Sequence, residues 1–105
     1  MNKTMLNLKE QNGIIIGTVQ DTDRLNAANA PELKSKLNEL LDIKGTKLIL
    51  NLQNIKFIDS TGIGALISAL KTARQNDGNF QLSSVQQEVY SLLALMKLDK
   101  VFDIT

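Results

Sequence analysis

The stretch Ile58-Asp59-Ser60-Thr61-Gly62-Ile63-Gly64-Ala65-Leu66 joins an apolar run to an amphipathic helical pattern. Asp59 or Ser60 stands at the change, and either side chain can cap the new helix by accepting hydrogen bonds from its free N–H groups. Gly62 and Gly64 leave room for another backbone segment to approach closely. The stretch predicts a strand-to-helix turn with a hydroxyl at a positive helix end, where anions are favoured. The chemistry alone slightly favours a simpler interpretation, a well-capped turn with no further role.

The segments on either side of this turn indicate a central strand and a helix. Residues 47–52 are almost continuously apolar, which is typical of a central strand covered on both faces. Phe57 and Ile58 then carry the chain back into the core. After the turn, the residues at helical spacing that form one apolar face are Ile63, Leu66, Ile67, Leu70 and Ala73.

The N-terminal segment predicts a β-hairpin. Residues 4–10 alternate weakly, and residues 14–19 are β-branched and apolar. Asn12-Gly13 between them is a strong signal for a tight turn, because both residues tolerate positive φ. A polar loop over residues 20–29 follows, and loops of this length commonly carry function.

Two further helices are indicated by capping residues and apolar spacing. Asn29 can cap the first helix, with Pro31 in its first turn, where the missing N–H costs nothing. Ser84 and Gln87 match a capping box at the start of the last helix. The expected apolar faces are Leu33, Leu37, Leu40 and Leu41 in the first of these helices and Val89, Leu92, Leu93 and Met96 in the last.

The order strand, strand, helix, strand, helix, strand, helix predicts an α/β fold. Strands separated by helices favour right-handed crossovers and a mostly parallel sheet, and the N-terminal hairpin makes that sheet mixed. Each helix has one apolar face, so we expect the helices to cover the sheet. Residues 80–83 supply a further strand, and residues 98–104 a short turn and an edge segment. The 105 residues contain no linker or internal repeat, and we expect one domain over residues 1–105.

The composition excludes several chemistries. The chain has no cysteine and no histidine, which removes disulfides, thiolate chemistry, zinc–sulfur sites and the commonest general base. A net charge of +1 gives no strong attraction to nucleic acid or to an acidic membrane surface. No window approaches about eighteen consecutive apolar residues, so we expect no membrane insertion. The N-terminus has no signal-peptide pattern, and the cytoplasm is the expected location.

Nucleotide-binding and hydrolytic motifs are also missing. No Gly-Lys pair precedes Ser or Thr, as a P-loop requires. Ile67 and Ile58 stand where a dinucleotide fingerprint and a nucleophile elbow require glycine. Asp21, Asp23 and Asp59 could converge on Mg²⁺, but roles in turns and caps explain them more simply. We therefore expect a binding or switching role without catalysis or cofactor, and a nucleotide-binding enzyme is the least favoured interpretation.

Three segments resemble the STAS-domain family, which is named for sulphate transporters and anti-sigma factor antagonists. Residues 51–64, NLQNIKFIDSTGIG, resemble the signature of bacterial anti-sigma factor antagonists, which has an Asp-Ser-[Ser/Thr]-Gly motif. Residues 25–33 resemble the family's first-helix entry, and residues 93–102 resemble its C-terminal helix and exit. The resemblance covers nearly the whole chain and implies a small mixed sheet with helices packed mainly on one side.

The resemblance also implies a function by partner switching. Family antagonists bind an anti-sigma factor that is also a serine kinase, and so free a sigma factor. The kinase uses ATP to phosphorylate the first serine of the motif, and a PP2C-type phosphatase restores the antagonist. That serine corresponds to Ser60, and the resemblance gives Asp59, Thr61, Gly62 and Gly64 supporting roles in the switch.

One position departs from the family pattern. Many members carry Asp where this chain has Asn26, in a loop that helps to form the family's partner surface. We expect Asp23 and Asn26 to belong to that surface, although Asn lacks the charge, which leaves the partner's identity open more than the fold. A second interpretation is a constitutive STAS subunit of a lipid-transport or stress-sensing assembly. Ser60 and the full motif favour the antagonist.

Overall fold

The computed structural model describes residues 5–105. The elements in chain order are β1 (Leu6–Gln11), β2 (Ile14–Val19), β3 (Arg24–Leu25), α1 (Ala30–Leu41), β4 (Lys47–Asn51), β5 (Phe57–Ile58), α2 (Ser60–Gln75), β6 (Asn79–Ser83), α3 (Gln87–Leu95), a 3₁₀ turn (Leu98–Lys100) and β7 (Asp103–Ile104). Thr4, where the sequence predicts the first strand to begin, lies outside the described residues.

The main sheet is mixed, as predicted. Its strand order is β1-β2-β4-β6-β7, in which β1 and β2 are antiparallel and the other neighbours are parallel. The hairpin turns at Asn12 and Gly13, whose φ angles are 54° and 80°. The predicted α/β class is therefore confirmed, and β7 forms the expected edge segment. The sequence pattern did not predict β3, which pairs with β5 in a separate two-stranded parallel sheet.

The main sheet is buried on one face. In β4, Leu48 and Leu50 are buried, whereas Ile49 between them is only half-buried. The expectation that this strand is covered on both faces is wrong, because the apolar residues of the helices join one cluster with Leu48 and Leu50. On the opposite face, Ile49 is paired in register with Ile16 of β2. Ile49, which the sequence pattern assigned to a second buried face, is thus half-buried beside its cross-strand neighbour Ile16.

Helix α1 packs on the sheet through leucines and on α2 through polar side chains. Leu33, Leu37 and Leu41 are buried, and Leu40 is partly buried, as the helical spacing predicts. Asn38 donates a hydrogen bond to Ser68 Oγ at 3.0 Å and accepts one from Thr72 Oγ1 at 3.0 Å. These two bonds fix the register of α1 against α2 in addition to the apolar contacts.

Asn29 occupies the N-cap position of α1, but its side chain does not cap the helix. The expected capping bond is replaced by bonds to the preceding loop. Asn29 Oδ1 accepts from the backbone N–H of Asn26 at 3.0 Å, and Asn29 Nδ2 donates to the carbonyl of Arg24 at 2.8 Å. Pro31 lies in the first turn, as predicted.

Helix α2 supplies much of the core. Ile63, Leu66, Leu70 and Ala73 are buried as predicted, whereas Ile67 is only partly buried. The sequence pattern did not select Ala65 and Ala69, which are also buried. The buried stripe is therefore wider than the large apolar residues indicate, because small residues also lie beneath neighbouring elements.

The start and end of α3 differ from the sequence prediction. The helix begins at Gln87 with Gln86 at the N-cap, and no side chain caps it. The predicted capping box is wrong, because Ser84 has a φ of 53° and lies two residues before the N-cap. Val89 and Leu93 are buried, but Met96 is 48% exposed because the helix ends at Leu95.

Replacing Leu66 with alanine tests the phase of α2. Leu66 is fully buried in the core cluster. Leu66→Ala should lower the free energy of unfolding by about 2–4 kcal/mol, because the lost side chain leaves a cavity. The measurement is urea denaturation of the parent and the variant. A loss below about 1 kcal/mol would show that Leu66 does not carry core packing.

Candidate functional site

The N-terminus of α2 is held by the carboxylate of Asp59. Asp59 is the N-cap residue, and its Oδ1 accepts hydrogen bonds from the backbone N–H groups of Thr61 at 2.9 Å and Gly62 at 3.1 Å. The Thr61 hydroxyl donates a third hydrogen bond to the same oxygen. Of the two cap residues that the sequence left open, Asp59 is therefore the one that caps. Ser60 becomes the first residue of the helix.

These hydrogen bonds favour the charged form of Asp59. The bond from the Thr61 hydroxyl contributes most to lowering the pKa of the carboxyl, followed by the backbone N–H of Gly62. The backbone N–H groups of Thr61 and Ala27 lower the pKa further. Asp59 therefore carries its charge next to Ser60 at neutral pH.

Ser60 and Thr61 differ in the availability of their hydroxyl groups. Both side chains are exposed. The Thr61 hydroxyl is bound to Asp59, whereas the Ser60 hydroxyl makes no hydrogen bond with any of residues 5–105. Of the two adjacent hydroxyls, the one on Ser60 is free to meet a second molecule, and it lies at the positive end of a 16-residue helix.

The two glycines of the motif have different roles. A Cβ atom at Gly62 would lie 2.7 Å from Ile58 Cγ1 and 2.8 Å from Leu25 Cβ, so close packing of α2 on β3 and β5 requires glycine there. A Cβ atom at Gly64 would meet no atom within 4 Å. The expectation of a close approach is thus confirmed for Gly62 and is wrong for Gly64. Nothing within residues 5–105 requires Gly64 for packing.

The loop over residues 20–29 lies beside the start of α2. Parallel pairing of β3 with β5 brings it there, and the backbone N–H of Asp59 donates to the carbonyl of Leu25 at 3.1 Å. Asn26 follows Leu25, and its Oδ1 accepts from the backbone N–H of Ala28 at 3.0 Å. Asn26 is therefore next to the site and held in a turn.

Asp23 pairs with its own neighbour. Arg24 Nε donates to Asp23 Oδ1 at 2.9 Å, and this bond is the largest contribution to lowering the pKa of Asp23. The carbonyl of Asp23 accepts from the backbone N–H groups of Lys56 and Phe57 at 2.7 and 3.2 Å. Among residues 5–105, no group of three acidic or histidine side chains is placed to hold a metal ion.

The sequence pattern did not indicate one pair of residues at this site, Arg24 and Phe57. Phe57 was expected to enter the core, but it is 57% exposed, and the Arg24 guanidinium carbon lies 5.4 Å from its ring centroid. In β5 the buried residue is Ile58. Strand alternation predicts that one of the two residues faces out, but a two-residue strand does not show which one.

A groove lies between the first turns of α1 and α2. Its volume is about 330 Å³, and its lining residues are Ala30, Pro31, Lys34, Thr61, Gly64 and Ala65. The bare surface at Gly64 forms part of its wall. Along the chain, Ser60 lies between Phe57 and the α2 residues that line this groove.

Comparison with known proteins now identifies the family. The family model for the STAS domain matches residues 5–105. The chain belongs to the STAS-domain family. An anti-sigma-B factor antagonist of Staphylococcus aureus is 30% identical over 81 residues, which cover 77% of this chain and 67% of the relative.

Solved structures agree with this assignment. A Thermotoga maritima protein provisionally described as an anti-sigma factor antagonist superposes with a TM-score of 0.76 at 26% identity, covering 95% of this chain and 85% of that one. A STAS-domain protein of Planctomyces limnophilus shares the fold with a TM-score of 0.85 at 18% identity, over 94% and 87% of the two chains. In the part of this STAS domain that the structure describes, no helix is long and apolar enough to cross a membrane.

Exchange of Asp59 for asparagine tests the charge of the cap. The lowered pKa of Asp59 means that its contribution to stability is complete above the ordinary pKa of 3.8 and is lost as the pH falls through the lowered value. Asn also caps helices but does not titrate. The difference in urea midpoint between the parent and Asp59→Asn should be largest near neutral pH and shrink towards about pH 2. A difference that is independent of pH would contradict the charged cap.

Alanine at the two motif glycines should have opposite effects on stability. Gly62→Ala should be destabilised by about 1–3 kcal/mol, because the new Cβ overlaps Leu25 and Ile58. Gly64→Ala should be stabilised by about 0.5–1 kcal/mol, because alanine favours the helix and meets no neighbour. Urea denaturation measures both. Destabilisation of Gly64→Ala would show that the folded chain needs this glycine.

Proposed function

We propose that this STAS domain is an anti-sigma factor antagonist that works by partner switching. In its unphosphorylated form it binds an anti-sigma factor with serine kinase activity, and this binding releases a sigma factor. Phosphorylation of Ser60 by that partner, with ATP, abolishes binding. The observation that carries the proposal is the exposed Ser60 hydroxyl, which has no partner among residues 5–105 and stands at the start of α2. The similarity to the anti-sigma-B factor antagonist of Staphylococcus aureus supports it.

A phosphate on Ser60 would act through its charge. It adds about −1.5 to −2 charge units at neutral pH. In the free protein, the helix N-terminus and the surrounding water tolerate this anion. A partner surface that packs against a neutral hydroxyl would have to desolvate the anion, and the charged Asp59 beside it adds repulsion. The switch therefore requires no refolding of the antagonist.

The hydrogen bond between Thr61 and Asp59 supports Ser60 as the acceptor. For Thr61 to accept a phosphate, its hydroxyl would have to leave the carboxylate that caps the helix. The resulting phosphate would then lie against Asp59, which accepts three hydrogen bonds at this turn. The Ser60 hydroxyl makes no such bond within residues 5–105, so a phosphate on Ser60 leaves the cap of α2 in place. Asp59 and Thr61 thus contribute to the choice of acceptor as well as to the helix start.

We further propose that Asp23, Asn26 and Gly64 belong to the partner surface. Asn26 is next to Ala27, whose backbone N–H bonds to the carboxylate of Asp59. Asp23 lies on the same loop. Gly64 leaves the groove between α1 and α2 open, although alanine would suit the helix better. Space for a partner's side chain explains a glycine that the fold itself does not require.

The rest of the proposal concerns the cycle around the switch. A PP2C-type phosphatase restores the unphosphorylated form, and the kinase and phosphatase supply the chemistry, so this chain is regulatory. The cycle belongs in the cytoplasm, where sigma factors act, and it needs no contact of this chain with nucleic acid or membrane. We also propose that residues 1–105 form one domain, supported by the family match over residues 5–105 and by a single core cluster.

Substitutions at Ser60 test the switch directly. Ser60→Ala should bind the kinase-type anti-sigma factor as the parent does, but incubation with ATP should no longer end binding. Ser60→Asp should bind at least about tenfold more weakly, a change of about 1.4 kcal/mol, because an unpaired charge becomes buried. The measurements are calorimetric affinities and intact-mass spectrometry after incubation with the partner and ATP.

Thr61→Val is the matched control, because it removes the neighbouring hydroxyl and keeps the side-chain shape. It should still gain one phosphate. Phosphate on Thr61 in the parent, or parent-like binding by Ser60→Asp, would contradict the mechanism. The second outcome would favour a constitutive STAS subunit of a larger assembly.

A further inference from the structure

The outward face of the small β3–β5 sheet consists of Arg24 and Phe57. These residues are paired in register, and their successors Leu25 and Ile58 are buried beneath them. Phe57 is 57% exposed, in contrast to Phe80 and Phe102, which are buried in the core. We call Arg24 and Phe57 the Arg–Phe platform. Its apolar surface has no covering element within residues 5–105.

The Arg–Phe platform is ordered before any partner arrives. The Arg24 guanidinium lies over the Phe57 ring at 5.4 Å, within the range of a cation–π interaction. Arg24 Nε is also bonded to Asp23 Oδ1 at 2.9 Å. Below the platform, the backbone N–H of Phe57 donates to the carbonyl of Asp23. A surface fixed in this way loses little side-chain entropy on binding, which is a property of residues that dominate interfaces.

The charges of the platform indicate what would bind it. The terminal nitrogens of Arg24 make no hydrogen bond with residues 5–105, and Lys56 beside Phe57 forms no ion pair with these residues. The Arg24 guanidinium, with free terminal donors, therefore lies over an exposed aromatic ring, and the positive charge of Lys56 is near enough to Asp23 to help lower the pKa of that carboxyl. The Asp23 carboxylate offsets this positive charge in part. This combination complements a partner segment that presents an apolar side chain next to a carboxylate.

We propose that the Arg–Phe platform is the anchor of the anti-sigma factor interface, and that it receives such an apolar and acidic segment of the partner. The inference rests on the proposed function and specifies which surface provides the affinity. The platform is continuous with the switch, because only Ile58 and Asp59 separate Phe57 from Ser60. The bond from Asp59 N–H to the Leu25 carbonyl ties the two together.

This arrangement also explains why a phosphate on Ser60 would be effective. The partner carboxylate that Arg24 and Lys56 attract is the group that a nearby phosphate would repel. The unphosphorylated chain thus presents the free terminal donors of Arg24 over the ring and the charge of Lys56 next to Phe57 in the chain, and the phosphorylated chain adds about −1.5 to −2 charge units three residues from Phe57. Affinity and switching then depend on the same partner segment.

The test compares the platform with a second exposed apolar and basic pair. Leu95 is 80% exposed and lies close in sequence to Lys97 at the end of α3, which makes Leu95→Ala and Lys97→Gln matched controls for Phe57→Ala and Arg24→Gln. Each variant is titrated by calorimetry with the purified kinase-type anti-sigma factor of the same genome. ADP replaces ATP, so that no phosphate can be transferred. Ser60→Asp is measured in the same series.

Phe57→Ala should raise Kd at least about tenfold, in the range expected for an anchor residue. Arg24→Gln should raise Kd and reduce its dependence on salt concentration, because an ionic contact is lost. The two controls should stay within about twofold of the parent. Melting temperatures of the Phe57 and Arg24 variants should remain close to that of the parent, since both side chains are largely exposed.

Three outcomes would overturn the inference. If Phe57→Ala and Arg24→Gln bind like the parent while Ser60→Asp binds weakly, the platform is not the anchor and the proposed function stands. If Leu95→Ala weakens binding as much as Phe57→Ala, the effect is not specific to the platform. If the parent does not bind the anti-sigma factor, the proposed function and this inference both fail. If Phe57→Ala does not fold, the Kd of Arg24→Gln and its dependence on salt concentration test the inference in its place. An unchanged Kd and salt dependence would then overturn it.

Discussion

The carboxylate of Asp59 connects the start of α2 to the loop before α1. Its Oδ1 accepts from Thr61 and Gly62, and the backbone N–H of Ala27 also favours its charged form. The backbone N–H of the same residue donates to the carbonyl of Leu25. One residue therefore orients the helix, positions the loop and sets the charge beside Ser60. The other features of the site depend on this connection.

Close packing around Gly62 makes the connection rigid. Because Gly62 has no side chain, the first turn of α2 lies directly on Leu25 and Ile58, and the β3–β5 sheet forms beside it. The same packing turns Arg24 and Phe57 outward. In the family motif, Asp59 thus caps the helix and Gly62 makes the close contact. Together they expose Ser60 without forming a bond to its hydroxyl.

The absence of conformational demands on Ser60 is consistent with a switch based on charge. The helix, the loop and the sheet are all held by residues other than Ser60, so modification of its hydroxyl leaves their bonds intact. A partner would meet three neighbouring surfaces: the Arg–Phe platform, the hydroxyl, and the groove beside Gly64. Binding at such a surface is sensitive to one added phosphate because the partner would have to desolvate its charge.

Local sequence patterns predicted those parts of the structure that depend on a few neighbouring residues. The Asn12-Gly13 turn needs positive φ at both positions, the β2 strand needs β-branched residues, and the start of α2 needs a capping side chain. The position of Ser60 at a helix N-terminus follows from the same signals. These features were therefore recognisable from the sequence before any tertiary contact was known.

The conformation of the folded loop and the pairing of distant strands decided the rest. Asn29 occupies the N-cap position of α1 and has a side chain that can cap a helix. In the folded loop, however, its amide bonds to the carbonyl of Arg24 and to the backbone N–H of Asn26. Phe57 is apolar, yet the pairing of two-residue strands buried Ile58 in its place. Periodicity and capping propensity act over one or two turns of chain, so the sequence by itself determined the elements and the location of the motif. Only the tertiary structure decided which polar groups meet and which apolar side chain remains exposed, because both depend on which segments compete for the same space.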